Sequence, residues 1–433
     1  MPTLPALDAI VQAEIQPHAP GAAVAVVQNG EVIHASGYGL ADVEWDVPIG
    51  TDTVFRLASV SKQFTATAIM MLIEQGKLSV NDPITRFLPR YPMSGHTVTV
   101  HHLLNHTSGI FSYTSDPEFG TKMRRDLTPQ QLCDEFSHMP FDFKPGTRYE
   151  YNNSGYFLLG MIIEQISGQS YADYLQEHIF KPLGMRQSYY LSTEPIIPRR
   201  ASGYVPAPDG SYLNAPFLSM TQPYAAGSLG STANDLVLWD KALRENTLIS
   251  AATLKQMYTA GTLEDGSRID YGYGWGIRQY QGKNVAEHSG GINGFNTFIV
   301  RFYEDGVTVI VLSNRVGFPV AKVAAALARQ VMGIAEPTHT AITLDDAALD
   351  KIVGNYLYHE VPFPVIRQED GTLVLKFGRD IPLIAQSATE FYSPDDPDVL
   401  VTFGNAQADG FAHMRYQDAF MTIEAERTEP ESE

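Results

Sequence analysis

The chain has 433 residues, a length that predicts two or three domains and a large buried core. Apolar residues make up 44% and charged residues 18%, a balance that excludes disordered, collagen-like and membrane-embedded chains. The formal net charge of −19 repels phosphate backbones and anionic lipid surfaces, so we expect no nucleic-acid partner.

The cysteine content and the first residues bear on the compartment. Cys133 is the single cysteine, which excludes an intramolecular disulfide and a Cys-rich zinc or iron-sulfur site and favours a reducing compartment. The beginning of the chain lacks a basic start followed by an apolar run, and Asp8 and Glu14 interrupt its apolar stretch. No uncharged apolar stretch approaches the roughly 18 residues that cross a bilayer. We therefore expect a cytoplasmic protein with no membrane partner.

In chain order, the apolar spacing of residues 6–16 predicts a helix. Asn29-Gly30, between two β-branched runs, then predicts a tight hairpin, because these residue types tolerate positive φ angles. Residues 60–75 predict a helix with Gly76 just beyond its end. The middle region, about 80–250, mixes helical patterns with Pro- and Gly-rich loops and permits no detailed assignment.

Later residues predict a second hairpin and then a change of domain. Asn296–Phe302 and Val307–Ser313 flank a turn, and Val320–Met332 has helical periodicity. Residues 334–345 lack periodicity, so we expect a linker between a domain at 1–333 and a second at 346–433. Short β-like runs with turn signals between them predict that the second domain is a small antiparallel barrel or sandwich. Four such runs are Gly354–Tyr358, Leu373–Phe377, Val399–Phe403 and Met421–Ala425.

Several common catalytic motifs are absent from the sequence. There is no G-x-S-x-G elbow and no G-x-x-x-x-G-K-[ST] phosphate loop. His102 and His106 lie four residues apart, but no Glu follows His102, so the zinc-protease helix motif fails as well. We expect neither a metal site nor a cofactor.

Ser59-Val60-Ser61-Lys62 is the first candidate catalytic motif. Residues three apart on a helix share one face, so the Ser59 hydroxyl and the Lys62 amine can meet. A lysine activates a serine only if burial or a neighbouring cation lowers its pKa, and the apolar run after Lys62 favours burial. The alternative is an N-cap serine followed by an exposed lysine.

Two further motifs add candidates. Tyr151-Asn152-Asn153 places a phenol and an amide two residues apart in a loop, where they could relay protons and hold a carbonyl. His288-Ser289-Gly290-Gly291 precedes the second predicted hairpin, and the N–H of Gly291 could donate to an oxyanion. A turn and a structural histidine are the alternatives for these two motifs.

In this order, the three motifs resemble those of serine hydrolases related to class C β-lactamases and D-alanyl-D-alanine carboxypeptidases. The resemblance covers about residues 10–332 and includes HHLLNHTSGI and AAGSLGSTANDL. It implies an α+β fold of the β-lactamase/transpeptidase type, with an antiparallel sheet flanked by helices and a helical subdomain. The third motif of this family is K-T-G in true β-lactamases and commonly H-x-G in esterases, D-aminopeptidases and some carboxypeptidases; here it is His288-Ser289-Gly290.

The resemblance also implies roles for the motif residues. Ser59 would be the acylated nucleophile, Lys62 and Tyr151 would share proton transfer, and His288 would tune Tyr151 electrostatically. The backbone N–H groups of Ser59 and Gly291 would form the oxyanion hole. Substrate binding would involve Asn153, Ser289 and Gly290. Ser228 departs from the A-G-G run that is more usual, which raises the question of whether it lines the site.

The C-terminal segment resembles, less specifically, the lipocalin-like barrels of some D-aminopeptidase and esterase relatives, which cover the active site or mediate assembly. We expect a serine hydrolase of small esters or short peptides and amides, D-amino-acid derivatives included. A neutral His288 offers no fixed cation to a substrate carboxylate. The alternatives are a D-alanyl-D-alanine carboxypeptidase or weak β-lactamase, and a catalytically silent ligand-binding or sensor protein.

Overall fold

The structure is a computed structural model that describes residues 4–358, 361–407 and 410–428. The chain forms two compact units, Met1–Leu327 and Ala328–Glu433. The boundary falls inside the helix Val320–Met332, whereas the linker predicted at 334–345 contains no helix or strand. Within the three described ranges, no helix is both long and apolar enough to cross a membrane.

The first unit is organised around a six-stranded sheet in which all neighbouring strands are antiparallel. The paired strands Ala22–Gln28 and Val307–Ser313 are almost entirely buried, because helices or loops cover both faces, and their sequences are correspondingly rich in Val, Ile and Ala. In spatial order the strands are Gly276–Tyr280, Lys283–Ile292, Phe295–Phe302, Val307–Ser313, Ala22–Gln28 and Glu31–Tyr38.

Helices surround this sheet, and several of them lie in the middle region that the sequence left unassigned. The helix after Ser59, Ser61–Glu74, is buried on nearly every side, including its polar residues Ser61, Lys62 and Gln63, whereas Ala233–Glu245 packs on the sheet. The other helices of four or more residues are Leu4–Gln12, Val100–Leu104, Phe119–Lys122, Pro129–Phe136, Asn153–Ser167, Tyr171–Leu175, Gln176–Phe180 (a π-helix), Tyr224–Gly227, Ala251–Met257, Val320–Met332 and, in the second unit, Asp346–Asp350.

Short strands connect the sheet to the segment that carries Ser59. Leu229–Ser231 lies between Phe55–Arg56 and Tyr189–Tyr190 in a three-stranded sheet. Two-stranded pairs are formed by Leu40–Asp42 with Val47–Pro48 and by Tyr204–Pro206 with Tyr212–Asn214. These short pairings hold the loops around the end of the strand Lys283–Ile292.

The second unit contains a closed barrel of eight antiparallel strands. The first and last strands pair, with Asn355 opposite Thr428, so closure leaves no open sheet edge. Alternate residues point inward, as at Ile381, Leu383 and Ala385. The strands are Gly354–Tyr358, Val361–Arg367, Leu373–Lys376, Asp380–Ala385, Glu390–Ser393, Asp396–Gln407, Gly410–Gln417 and Thr422–Thr428.

The α+β fold and the C-terminal barrel predicted from the sequence are confirmed. The first hairpin turns at Asn29 and Gly30, with φ angles of 51° and 86°. The first helix is shorter than predicted, ending at Gln12. Residues 13–15 continue only as turns, and Pro17 disfavours helical geometry at the residue before it.

Candidate active site

Ser59 lies in a tight 3₁₀ turn, Ala58–Val60, directly before the buried helix Ser61–Glu74. Ala58 has a φ of 49°, a left-handed conformation that costs a non-glycine residue about 1 kcal/mol. The N–H of Leu57 donates to the carbonyl of Leu229 at 2.8 Å, and its own carbonyl accepts from Thr297 Oγ1 at 2.8 Å. These contacts with two neighbouring strands hold the turn in its strained conformation.

Lys62 is completely buried and contacts three oxygen atoms. Its Nζ lies 3.0 Å from Ser59 Oγ, 2.9 Å from Asn153 Oδ1 and 2.9 Å from the carbonyl oxygen of Ala226. The burial that the apolar sequence predicted is therefore confirmed, and the exposed-lysine alternative is wrong.

Burial lowers the pKa of Lys62 well below its usual value, because the ammonium ion loses its hydration. A neutral amine has two N–H donors and one lone pair. The Asn153 and Ala226 oxygens can only accept hydrogen bonds, so they take the two N–H groups. Once the amine is deprotonated, its lone pair faces the Ser59 oxygen, 3.0 Å away, which is the orientation of a general base.

Tyr151 lies beside the same pair. Its hydroxyl hydrogen-bonds to Ser59, and its ring centre is 4.8 Å from Lys62 Nζ. Although 37% of the residue is exposed, protein atoms crowd the hydroxyl end, and this desolvation raises the pKa of Tyr151 well above its usual value. The hydrogen bond between Tyr151 and Ser59 lowers the pKa of Tyr151, but this effect is smaller than that of desolvation. Tyr151 therefore keeps its proton at neutral pH.

Asn153 is the first residue of the helix Asn153–Ser167, and the preceding Asn152 caps that helix by accepting the N–H of Gly155 at 2.8 Å. The Asn153 amide oxygen points to Lys62, and its Nδ2 donates to Thr114 Oγ1 at 3.0 Å. This side chain therefore orients the lysine amine, while one N–H of its amide group is available to a substrate.

His288 is buried on the strand Lys283–Ile292, and its ring centre is 6.2 Å from that of Tyr151. Its Nδ1 is 2.6 Å from the carbonyl oxygen of Ser289, which can only accept, so Nδ1 carries the proton. Nε2 then accepts from the hydroxyl of Tyr271 at 2.8 Å. Burial and, secondly, the nearby Lys62 lower the pKa of His288 to about 3. His288 is therefore neutral at physiological pH.

Tyr271 and His106 belong to this cluster, but the motifs did not single them out as site residues. The ring of His106 lies 4.3 Å from that of Tyr151 and 4.6 Å from that of Tyr271. Its Nδ1 accepts the backbone N–H of Asn152 at 3.0 Å, which fixes the ring beneath the Tyr151 loop. His106 was visible in HHLLNHTSGI, whereas nothing in the sequence around Tyr271 distinguishes it from a core aromatic residue.

The strand Lys283–Ile292 approaches the Ser59 turn through its glycines. A Cβ atom at Gly290 would lie 2.4 Å from the carbonyl oxygen of Leu57, so only glycine permits this approach. Beyond Glu287 the strand is no longer paired with Gly276–Tyr280, which leaves one edge of residues 288–292 open near Ser59. Gly291 lies on this free segment, and the Ser289 side chain is exposed on the face opposite His288.

The departure from the family pattern raised the question of whether Ser228 lines the site. Its hydroxyl does not line the cleft. The residue is completely buried, and its Oγ donates to the carbonyl of Met220. Among residues 4–358, 361–407 and 410–428, no group of three or more His, Cys, Asp or Glu side chains is arranged to hold a metal ion.

The site combines a buried lysine, a serine, a tyrosine and a free strand edge. This combination defines a serine hydrolase site of the β-lactamase type. The Beta-lactamase family profile matches residues 7–332, and the chain belongs to this family. The barrel, residues 354–428, lies outside the matched segment.

Individual relatives agree with this assignment. Penicillin-binding protein 4* of Bacillus subtilis (strain 168) is 29% identical over 394 residues, 85% of this chain and 87% of that protein. The octameric penicillin-binding protein homologue from Pyrococcus abyssi superposes with a TM-score of 0.69 at 27% identity, covering 97% of this chain and 99% of the other. The D-amino acid amidase from Ochrobactrum anthropi SV3, with D-phenylalanine, has a TM-score of 0.64 at 27% identity, covering 76% and 99%.

Proposed function

We propose that the protein hydrolyses amides of D-amino acids, short D-amino-acid peptides and small esters through an acyl-enzyme on Ser59. The observation that carries this proposal is the environment of Lys62: a fully buried amine with two fixed carbonyl acceptors and the Ser59 hydroxyl at 3.0 Å. A catalytically silent binding protein has no need for a lysine held in this way.

Acylation follows from the protonation states of the three side chains. Lys62 removes the Ser59 proton as Oγ attacks the substrate carbonyl carbon, and the N–H groups of Ser59 and Gly291 stabilise the resulting oxyanion. Tyr151, which holds a proton and hydrogen-bonds to Ser59, donates it to the leaving amine or alkoxide as the scissile bond breaks. The proton that Lys62 has taken then replaces the one lost from Tyr151.

Deacylation uses the same groups in reverse. Water takes the position vacated by the leaving group and gives its proton to Lys62 as its oxygen attacks the ester carbonyl. The tetrahedral intermediate collapses, the bond to Ser59 Oγ breaks, and Oγ recovers the proton from Lys62. The products are a carboxylic acid and free enzyme, and the step needs no metal ion or cofactor.

The third motif favours this substrate class over β-lactams and D-alanyl-D-alanine peptides. Because the pKa of His288 is lowered to about 3, the motif presents a neutral imidazole where a lysine would present a cation to a substrate carboxylate. The likeness to the D-amino acid amidase supports the choice of amide substrates with a D-configured acyl group.

Initial rates on four substrates test the proposal: D- and L-alanine p-nitroanilide, p-nitrophenyl acetate and a chromogenic cephalosporin. We expect the wild type to hydrolyse the D-anilide and the ester, with the D-anilide preferred over the L-anilide. Ser59→Ala should abolish turnover. Ser61→Ala is the matched control and should keep turnover, because the Ser61 hydroxyl accepts the N–H of Leu229 and is not the proposed nucleophile.

Two results would contradict the proposal. Unchanged turnover in Ser59→Ala would exclude Ser59 as the nucleophile. If the wild type turned over none of the substrates, the ligand-binding or sensor alternative would be favoured, and preferential cephalosporin hydrolysis would favour a β-lactamase.

A further inference from the structure

A cavity of about 510 Å³ is lined in part by residues that lie close along the chain to the proposed oxyanion-hole residues Ser59 and Gly291. Asn293 and Phe295, which follow Gly291 along the chain, form one wall, and the segment from Asn214 to Met220 forms another. A different cavity, about 580 Å³ and lined by Tyr91 and Cys133, contains none of the proposed catalytic residues.

The two charged residues that line the first cavity are both arginines, Arg56 and Arg200. Arg56 is half-buried, with its guanidinium carbon 5.7 Å above the Phe295 ring, and Arg200 is exposed. Desolvation and, secondly, the charge of Arg200 lower the pKa of Arg56 to about 10, so Arg56 remains cationic at neutral pH. Two neighbouring cations repel each other unless an anion lies between them.

Two carboxylates accept hydrogen bonds from residues that line this cavity, but neither forms an ion pair with the two arginines. Ser202 Oγ donates to Asp42 at 2.9 Å, and Asn214 Nδ2 donates to Glu44 at 2.8 Å. Asp52 pairs with Arg199, the neighbour of Arg200 in sequence. Within the part of the chain that the structure describes, neither Arg56 nor Arg200 has an ion-pair partner.

Short stretches of chain link residues that line the cavity to the residues of the proposed oxyanion hole. Asn293 is two residues beyond Gly291, which places it within about 7 Å along the strand direction. Arg56 is three residues before Ser59 and pairs with Gly230 in the short sheet next to the Ser59 turn. Asn293 Nδ2 donates to the carbonyl of Pro216 at 2.9 Å, so it ties the cavity wall to the strand that carries Gly291.

We propose that Arg56 and Arg200 form an anion subsite for a carboxylate at the far end of the substrate's acyl group. The inference rests on the proposed function, because it assigns the acyl side of the Ser59 site. It differs from carboxylate recognition at the third motif, because Arg56 and Arg200 line a cavity whose walls do not include His288, Ser289 or Gly290. The preferred substrates are therefore amides or esters whose acyl chain ends in a carboxylate.

A matched pair of substrates tests the subsite: mono-p-nitrophenyl suberate, with a free carboxylate, and p-nitrophenyl methyl suberate, in which a methyl ester removes the charge. We expect the wild type to prefer the charged ester by about tenfold in kcat/KM, the size of one charge-assisted hydrogen bond. Arg200→Gln should bring the ratio of the two kcat/KM values close to one, and so should Arg56→Gln. Arg90→Gln is the control and should keep the wild-type ratio, because Arg90 is an exposed arginine that lines the other cavity.

Direct binding separates failure of this inference from failure of the proposed function. Isothermal titration of suberate into Ser59→Ala does not depend on turnover and should give binding that Arg200→Gln weakens about tenfold. If neither ester is hydrolysed but suberate binds in this Arg200-dependent way, the subsite stands and the proposed function fails. A wild-type ratio of one or less, or an unchanged ratio in the folded Arg200→Gln variant, would overturn the subsite, as would the absence of suberate binding. Arg200 is exposed, so its variant retains the test even if Arg56→Gln does not fold.

Discussion

Replacing Gly290 by alanine should separate the strand Lys283–Ile292 from the Ser59 turn. The added Cβ would lie 2.2 Å from Thr297 Oγ1 and 2.4 Å from the carbonyl oxygen of Leu57, against an ordinary contact distance of at least 3.4 Å. The hydroxyl of Thr297 can rotate away, but the Leu57 carbonyl is backbone and is held at the Ser59 turn. The strand must therefore move by about 1 Å, and a displacement of this size costs roughly 100-fold in rate when it separates catalytic groups.

The assay is kcat/KM on p-nitrophenyl acetate for Gly290→Ala, with thermal unfolding followed by circular dichroism to confirm that the variant is folded. Gly120→Ala is the control, because no atom lies within 4 Å of the Cβ it would acquire. We expect the control to have wild-type activity. A folded Gly290→Ala variant with a rate within threefold of wild type would refute the argument that this glycine sets the distance between Gly291 and Ser59.

Three further predictions concern charge and burial. Because burial lowers the pKa of Lys62, kcat/KM should rise as pH increases through that lowered value. Because the pKa of Tyr151 is raised, kcat/KM should not fall again up to pH 10. Lys62→Met should reduce kcat at least 1,000-fold, on the order of what a general base supplies. A pH profile that is flat from pH 4 to 10 would contradict the assigned base. The pKa of His288 falls from 6.5 to about 3 on folding, so the unfolded state binds more protons than the folded state between pH 6.5 and pH 3. Acid should therefore destabilise the protein, and His288 alone should lower the free energy of unfolding by about 2 kcal/mol between pH 7 and 5. Urea unfolding of His288→Gln at both pH values should show a smaller loss than wild type, and an equal loss would disprove this contribution. In the wild type, Arg301 Nε donates to Asp240 at 2.9 Å, and both side chains are buried. Asp240→Ala should therefore lower the free energy of unfolding by 3–5 kcal/mol, about the penalty of leaving a buried charge unpaired. A free energy of unfolding within 1 kcal/mol of wild type, about the value of a surface pair, would show that this pair is dispensable.

Local patterns predicted the elements whose physics is local. Asn29-Gly30 specified a hairpin because few residues adopt two successive positive φ angles, and the apolar residues after Lys62 favoured burial of its amine. The three-residue spacing of Ser59 and Lys62 likewise predicted their contact. Each of these predictions depends on residues within a few positions of one another, where sequence spacing translates directly into geometry.

Other features depended on residues far apart in the chain. The barrel closes because its first and last strands pair across more than 60 residues, whereas the sequence displayed only four of its eight strands. Ser228 was expected to bear on substrate fit from its place in a motif, but its hydroxyl turns to the Met220 carbonyl. A sequence pattern does not determine which of two neighbouring surfaces a side chain faces.

The sequence alone determined the chemical groups of the site: the Ser59 and Lys62 pair, the Tyr151 phenol and a histidine at 288 instead of a lysine. Tertiary structure decided their protonation states. Burial lowers the pKa of Lys62, and the carbonyl oxygens of Asn153 and Ala226 orient its amine; burial also keeps His288 neutral, while Tyr271 and the Ser289 carbonyl fix its tautomer. These partners come from distant segments or from backbone atoms, and desolvation depends on everything packed around a group, so no local pattern encodes either effect.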